Sequence, residues 1–204
     1  MNDYSSRQLT DLEDRLNAFQ GISSEIEKQS GKKVRYGMPG FGCGVLGREA
    51  KIPSPSRSTR APSWSWGCLN TLVDGPCYRG KYDGTGAGMR FVDDDPAKLV
   101  VTAFVLDGAT WDGVHHSVEG SCQAPKKGNY TCWPDLKIGL PDPPNRYYLG
   151  LVGIGNYLLY SGGMVEMVLI LESAGCGTYR RTGIYWGYGF AGKWPEEPQE
   201  VTLV

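Results

Sequence analysis

Few side chains in this sequence are suited to acid–base chemistry, and the two histidines are the first candidates. His115 and His116 are adjacent, and the chain has no other histidine. Because neighbouring side chains on a strand point to opposite faces, the two cannot easily bind one metal ion. His115 is therefore a candidate acid, base or hydrogen-bond donor inside the fold, and a structural or surface histidine is the alternative. We predict no metal site.

Two arginines and one aspartate complete the candidate catalytic groups. Arg15 and Arg60 are candidate donors to a substrate oxygen, because a guanidinium is always charged and carries several N–H groups. An ionised arginine inside a pocket needs a partner, and Asp14 is the candidate for that role. The four polar candidates are therefore His115, Arg15, Arg60 and Asp14.

Aromatic residues are abundant, with 6 Trp, 12 Tyr and 5 Phe. Trp64 and Trp66 are two residues apart and would share one face of an extended segment. Residues 185–190 alternate bulky rings with glycine, which leaves space beside the rings. Such residues usually form core, but around a β-barrel interior they could line a cavity for an apolar ligand. The candidate cavity walls are Tyr36, Phe41, Trp64, Trp66, Trp111, Tyr148 and Trp186.

The known catalytic motifs for nucleotides, nucleophiles and metals do not occur. Residues 84–88 lack the full Gly-x-Gly-x-x-Gly pattern, and the sequence has no Gly-x-Ser-x-Gly elbow and no Cys-x-x-Cys pair. Three consecutive aspartates at 93–95 are followed by Pro96, which favours a solvated turn over a cation site. The expected chemistry therefore uses no cofactor.

One amphipathic helix is predicted over residues 10–30. Thr10 and Glu13 form a capping box at its start, and Gly31 is a natural stop. Gly21 is a possible break. The apolar residues that step by three or four are Leu9, Leu12, Leu16, Phe19, Ile22 and Ile26.

The rest of the chain indicates strands. Residues 37–62 are rich in Gly, Pro and Ser and predict a loop region, exposed at 51–61. The predicted strands are 99–106, buried on both faces, 146–153, 164–172 and 178–188. Turns are expected at 155–156, 162–163 and 175–177, and a long polar connection at 119–145. These elements predict one mainly β domain (α+β) over 1–204, with antiparallel β at 63–204: a barrel or sandwich with the helix packed on it.

Charge and composition limit the partners. Lys plus Arg number 21 against 22 Asp plus Glu, a formal net charge of −1, so a nucleic-acid partner is not expected. No uninterrupted apolar run of membrane-spanning length and no secretory leader occurs, so we expect no membrane partner and an intracellular, cytoplasmic location. The six cysteines are then expected to be free thiols, and basic pairs such as Arg180-Arg181 to be solvated.

Several strings, in order along the chain, resemble the region after the signature domain of fungal heterokaryon-incompatibility (HET) proteins. They are YSSRQLT (4–10), DRLNA (14–18), GI (21–22), YGMP (36–39) with Phe41, RAPSWSW (60–66), LILE (169–172) and YRRTGI (179–184). GCGVLG at 42–47 departs from the leucine-rich segment usual there, and the signature domain is expected to be absent. The resemblance implies an intracellular fungal protein and carries over no catalytic residue.

Two hypotheses remain. One is an enzyme that binds an apolar small molecule and catalyses cofactor-free cyclisation (of Diels–Alder type), isomerisation or dehydration of a terpenoid or polyketide. The other is a non-enzymatic protein-interaction module related to incompatibility and nonself recognition. Its partner would bind around Trp64 and the loop at 51–61, or at strand edges.

Overall fold

The structure is a computed structural model that describes most of the predicted strands and the helix. The described residues are 14–31, 33–36, 38–39, 48–49, 61–68, 73–74, 88–110, 131–134, 146–156, 164–187 and 194–204. Within these ranges the chain is mainly β, with one α-helix and a short 3-10 helix at Trp66–Cys68.

Helix α1 spans Arg15–Ser30 and ends where the sequence predicts. Gly31 adopts the left-handed conformation, with φ at 66°, and its N–H donates to the Glu27 carbonyl at 2.8 Å. Only glycine adopts this conformation without steric cost, which explains the stop. The helix continues through Gly21 without a break. Its capping box at 10–13 lies outside the described residues.

One face of α1 packs against the buried core cluster, and this face is narrower than the apolar pattern predicts. Phe19 is buried at 8% exposure, and Ile26 is partly buried against the same core. Ile22 is 46% exposed, so its predicted place in the core is wrong. At 100° per residue Ile22 lies at the margin of the stripe that contains Phe19 and Ile26, where the helix surface turns away from the sheet.

The strands include four long ones, each longer than or close to its predicted length. In chain order the strands are β1 Val34–Arg35, β2 Met38–Pro39, β3 Arg48–Glu49, β4 Val73–Asp74, β5 Met89–Phe91, β6 Leu99–Thr110, β7 Thr131–Pro134, β8 Arg146–Asn156, β9 Met164–Gly175, β10 Thr178–Gly187 and β11 Gln199–Leu203. Strands β2 and β3 fall inside the predicted loop region at 37–62, and residues 51–60 lie outside the described ranges.

Seven of the strands form one mixed sheet, β5 to β11. Strands β8, β9 and β10 are joined as successive antiparallel neighbours, and β6 pairs antiparallel with β8, as a meander requires. Strand β11 pairs antiparallel with β6 and parallel with β10. The prediction of a purely antiparallel arrangement is therefore wrong, because β11 has the same direction as β10.

One of the predicted hairpin turns is confirmed and another is wrong. Cys176 and Gly177 connect β9 to β10 with φ values of 51° and 71°, the two positive angles of a type I′ turn. The predicted turn at 155–156 is wrong, because both residues pair in the β8–β9 ladder. The predicted turn at 162–163 lies outside the described residues.

Two loop predictions have different outcomes. The aspartate-rich turn at 93–95 is confirmed: it lies between β5 and β6, and Asp93 is 83% exposed in its ion pair with Lys33. The connection at 119–145 is not wholly irregular, because β7 lies within it and pairs with β10. The polar and proline-rich composition of this connection gave no indication of the four-residue strand β7.

The core lies on one face of the sheet, which we call the inner face. Its buried cluster contains Phe19, Trp64, Cys68, Leu99, Val101, Ala103, Met167, Leu169, Leu171, Ile184, Val201 and Leu203. Strand β9 is buried on both sides, since Glu166, Val168 and Ile170 are also buried on the outer face. The first residues of β6 are buried on both faces too, as predicted.

Two glycines should respond to alanine in opposite directions. A Cβ at Gly67 would lie 2.5 Å from Leu16 Cδ2 and 2.9 Å from Leu16 Cγ, so Gly67→Ala displaces the Leu16 side chain and should destabilise the fold by about 1 kcal/mol. A Cβ at Gly21 meets nothing within 4 Å, so Gly21→Ala should stabilise by about 1 kcal/mol. Chemical denaturation of both variants measures this. Equal stability of the two variants would contradict the packing of α1 described above.

Candidate functional site

The segment at 61–68, which we call the tryptophan segment, holds several elements together. It makes a tight turn, in which Ser65 N–H donates to the Pro62 carbonyl at 3.0 Å and Cys68 N–H donates to the Ser65 carbonyl at 3.1 Å. The Ser65 hydroxyl donates to the Tyr36 carbonyl at 2.7 Å and accepts from Gly67 N–H at 3.0 Å. The tryptophan segment is thereby fixed to the β1–β2 turn.

Ser63 joins this segment to the end of the sheet. Its hydroxyl donates to the Val204 carbonyl and accepts from Arg181 N–H at 3.1 Å. Its own N–H also donates to the Val204 carbonyl at 3.2 Å, and Val204 N–H donates to the Tyr179 carbonyl at 2.9 Å. Ser63 is 6% exposed, so its hydroxyl supplies hydrogen bonds that water cannot easily replace.

Trp64 lies at the centre of an aromatic cluster. Its ring centroid is 5.7 Å from that of Tyr36, edge to face, and 6.0 Å from that of Phe91. Its Nε1–H donates to the Ala97 carbonyl at 2.9 Å, and the residue is 0% exposed. The indole is thus fully packed and hydrogen-bonded, and it is not part of an exposed contact surface.

Tyr36 is held in a conformation that non-glycine residues rarely adopt. Its φ is 49°, in the left-handed region, where a Cβ is crowded by the backbone. The hydrogen bond from Ser65 to its carbonyl and the contact of its ring with Trp64 hold it there. The sequence places Tyr36 and Trp64 in one site, and the structure does bring the two rings together.

A second aromatic pair lies near the β9–β10 turn. The rings of Tyr148 and Tyr179 meet edge to face with centroids 5.1 Å apart. Both residues are partly buried and pack against the inner-face core. The tyrosine pair is thus partly exposed at the edge of the inner-face core.

A buried charge lies beside the tyrosine pair. Arg181 pairs with Leu171, and Leu171 pairs with Tyr148, so the three residues form one row across β10, β9 and β8 on the inner face. Arg181 is 0% exposed, whereas Arg180 is exposed. The expectation that this basic pair is solvated is therefore wrong for Arg181, because neighbouring residues on β10 face opposite sides of the sheet.

The outer face of β9 also contains a buried charged residue. Glu166 is 6% exposed, and its Oε1 accepts a hydrogen bond from Trp194 Nε1–H at 2.9 Å. Val168 and Ile170 are buried beside it along the same face. A carboxylate in such surroundings needs hydrogen-bond partners, and Trp194 is one of them.

The candidate residues from the sequence have different outcomes. Tyr36 and Trp64 form one cluster, and Tyr148 lies in the tyrosine pair. Asp14 is exposed and accepts a hydrogen bond from Asn17 Nδ2 at 3.4 Å. The backbones of Arg15, Trp66 and Trp186 are placed, and their side chains are outside the description. Phe41, Arg60, Trp111 and His115 lie outside the described residues.

Three residues of interest were missed by the sequence interpretation: Ser63, Glu166 and Arg181. The alternation of strand side chains could have indicated one buried arginine in the pair at 180–181, because adjacent residues on a strand point to opposite faces and one face of the sheet covers the core. Ser63 and Glu166 have no comparable pattern, since their partners Val204 and Trp194 are distant in sequence. Of the cysteines, Cys68 is a buried free thiol and Cys176 an exposed one.

Comparisons with known proteins found no match among protein-family models, curated proteins or solved structures. In the described part of the chain, no helix is long and apolar enough to cross a membrane.

Asp95 provides a pH-dependent contact at the rim of the aromatic cluster. The hydrogen bond from the Lys98 side chain, aided by Ala97 N–H, holds the pKa of the Asp95 carboxyl below its ordinary value of 3.8. The contribution of Asp95 to stability is therefore present above pH 3.8 and is lost as the pH falls through the folded-state pKa.

Asp95→Asn should lower the melting temperature at neutral pH, and the difference from wild type should vanish in acid. Thermal unfolding across this pH range measures the effect. Asp94→Asn, an exposed neighbour on the same turn, is the control. A deficit in Asp95→Asn that persists unchanged at acid pH would refute the ionic origin of the contact.

Ser63→Ala should destabilise the fold by about 1 to 3 kcal/mol, because it leaves the buried Arg181 N–H without its acceptor. Chemical denaturation measures the loss. Ser24→Ala removes a hydroxyl that bonds the Gln20 carbonyl on the exposed side of α1 and should change stability by less than about 0.5 kcal/mol. Similar values for the two variants would mean that Ser63 does not join the tryptophan segment to the sheet.

Proposed function

We propose that this protein is a HET-related β domain that binds an apolar small molecule and transforms it without a cofactor. The proposed reactions are ring closure of Diels–Alder type, isomerisation or dehydration of a terpenoid or polyketide precursor. The observation that supports this proposal is the tyrosine pair of Tyr148 and Tyr179, partly exposed at the rim of an apolar core and beside the buried Arg181.

We also propose that the sheet curves into a small barrel. Strand β11 pairs with β6 through five residue pairs and with β10 through two, so it links two otherwise distant strands. Register shifts at 107–109, 151–153 and 181–183 indicate bulges, which bend strands and increase their twist. The tyrosine pair would then lie at one mouth of the barrel.

An opening of this kind suits a reaction that is accelerated mainly by holding the substrate in its reactive conformation and that needs few acid or base groups. Ring closure of a diene onto an alkene converts two π bonds into two carbon–carbon σ bonds, and no group leaves. Holding the two ends of a flexible chain in contact supplies much of the rate by removing conformational freedom. Aromatic rings such as those of the tyrosine pair position the chain.

The resemblance to HET proteins supports a common origin of the fold, and it gives less support to the proposed activity. Its most specific string, at 60–66, overlaps the tryptophan segment, where Ser63, Trp64 and Ser65 are all buried and hydrogen-bonded. Residues of this kind maintain a fold. A recruited enzyme would keep them and would differ at the rim, near Tyr148.

A protein-interaction module is the second candidate, and one observation favours it. Ile22 is the large apolar side chain most exposed to solvent among the described residues, and it lies on α1 away from the sheet. An exposed isoleucine on a helix can contact a partner protein. This module would not use the tyrosine pair, so the two functions are separable by mutation.

Incubation with extracts of terpenoid and polyketide precursors, analysed by mass spectrometry, tests the proposed function. A product of unchanged mass indicates cyclisation or isomerisation, and a product lighter by one water indicates dehydration. Tyr148→Leu should reduce product formation at least about tenfold by removing the ring that contacts Tyr179. Ile22→Lys should leave turnover unchanged.

The same two variants decide between the candidates. Under the interaction hypothesis, wild type forms no product and captures a protein from lysate, and Ile22→Lys abolishes the capture while Tyr148→Leu preserves it. That pattern would replace the proposed enzyme with a binding module.

A further inference from the structure

An exposed aspartate, Asp107, lies beside the tyrosine pair on the same side of the sheet. We infer that Asp107 transfers a proton in the proposed reaction, and that the substrate is a ketone whose α-carbon bears a hydrogen and lies between the carbonyl and an alkene. The inference rests on the proposed function, because it assigns a substrate class and a catalytic residue to the same site. Of the proposed reactions, it selects isomerisation.

The first argument is the position of Asp107 on β6. Residues two apart on a strand point to the same side, so Asp107 continues the inner-face row that contains Ala103 and Val105. Asp107 also pairs directly with Tyr148 on β8. Directly opposite residues have Cβ atoms about 5 Å apart. The alternation along β6 and the register with β8 therefore both place Asp107 next to the tyrosine pair.

The second argument is access from solvent. Asp107 is exposed and the two tyrosines are partly buried, whereas Ala103 and Leu171 on the same face are buried. The inner-face row of β6 thus ends in a carboxylate that a ligand can reach, at the edge of the core. Asp107 also has an interaction within the protein. An ionised carboxylate has two oxygens with about four lone-pair sites, so it can keep that interaction and still accept a proton.

The third argument is the local structure of β6. Asp107 is the only charged residue among the 12 of this strand. Aspartate is disfavoured in strands, so strand propensity does not account for its presence. The pairing with β8 shifts register between Asp107 and Ala109. Bulges of this kind redirect side chains and occur often beside active sites, so the irregularity of β6 supports a functional role for Asp107.

The inferred reaction moves one proton and leaves the mass of the substrate unchanged. The Asp107 carboxylate removes the proton from the α-carbon, and the electron pair of that C–H bond forms the carbon–carbon double bond of an enolate. The Asp107 carboxylic acid then returns the proton to the far carbon of the alkene. The double bond becomes conjugated with the carbonyl, and Asp107 is again a carboxylate. The apolar remainder of the substrate lies against the tyrosine pair.

Isopulegone, a terpenoid ketone with an alkene next to its α-carbon, is the probe. Wild-type protein in D₂O should convert it into pulegone and incorporate deuterium, because the exposed carboxylic acid exchanges its proton with solvent. Gas chromatography with mass spectrometry measures both rates. Asp107→Asn should lower both at least about 100-fold, as expected for loss of a general base, and Asp107→Glu should retain part of the activity.

Two controls separate proton transfer from binding and from net charge. Menthone, the saturated analogue, should bind wild type and Asp107→Asn equally in saturation-transfer NMR, because the apolar contacts are unchanged. Asp94→Asn removes an exposed carboxylate on the turn between β5 and β6 and should leave both rates at the wild-type value. An equal loss of activity in Asp94→Asn would overturn the inference.

The outcomes separate the inference from the proposed function. Conversion of isopulegone by folded Asp107→Asn at the wild-type rate overturns the role of Asp107 and retains the site. Absence of both conversion and deuterium incorporation in wild type also overturns the inference, and the proposed function then stands if precursor extracts still give a cyclised or dehydrated product that Tyr148→Leu does not form. Wild type that converts neither isopulegone nor the extracts overturns both.

Discussion

The hydroxyl of Ser63 connects three separate segments of the described fold. It bonds the Val204 carbonyl and the Arg181 N–H together, so one buried group joins the tryptophan segment, β10 and the end of β11. A hydroxyl has one donor and can accept as well, and both capacities are used here. Replacing the hydroxyl removes both of these hydrogen bonds and leaves the bond from the Ser63 N–H to the Val204 carbonyl.

Strand β9 imposes a second constraint, because it is buried on both faces. Its inner residues belong to the core cluster, and its outer residues include Glu166. On the adjacent β10, Arg180 is exposed, whereas Arg181 faces the inner side of the sheet and is buried. Each face of the sheet therefore contains a buried ionisable residue, Arg181 on the inner face and Glu166 on the outer one.

The elements of this fold could be predicted from sequence where the pattern is local. The stop at Gly31, the long strands β6, β8, β9 and β10, and the turn at Cys176-Gly177 follow from turn residues and β-branched runs. Strands β5, β7 and β11 are short, and their pairing depends on residues far along the chain, which periodicity does not detect. For the same reason the parallel pairing of β11 was not predicted.

The candidate site was predictable only in part. The aromatic residues Tyr36, Trp64 and Tyr148 stand out by type, and the structure places all three against one core. In the structure they divide into a cluster around the fully buried Trp64 and a partly exposed pair at Tyr148. This division depends on burial, which the local sequence does not encode. The burial of Arg181 and not of Arg180 was missed because it depends on which face of β10 covers the core.

The hydrogen bonds between Ser63 and Val204 join residues 141 apart in sequence, and this separation has a consequence for folding kinetics. The β9–β10 hairpin forms locally around a two-residue turn, so its loop-closure entropy is small. Strand β11 must pair with β6, about half of the chain away in sequence, before Ser63 can bond Val204 at the end of β11. Pairings between strands that are distant in sequence form slowly. We therefore expect the meander to form first, and β11 with the tryptophan segment to complete the sheet last.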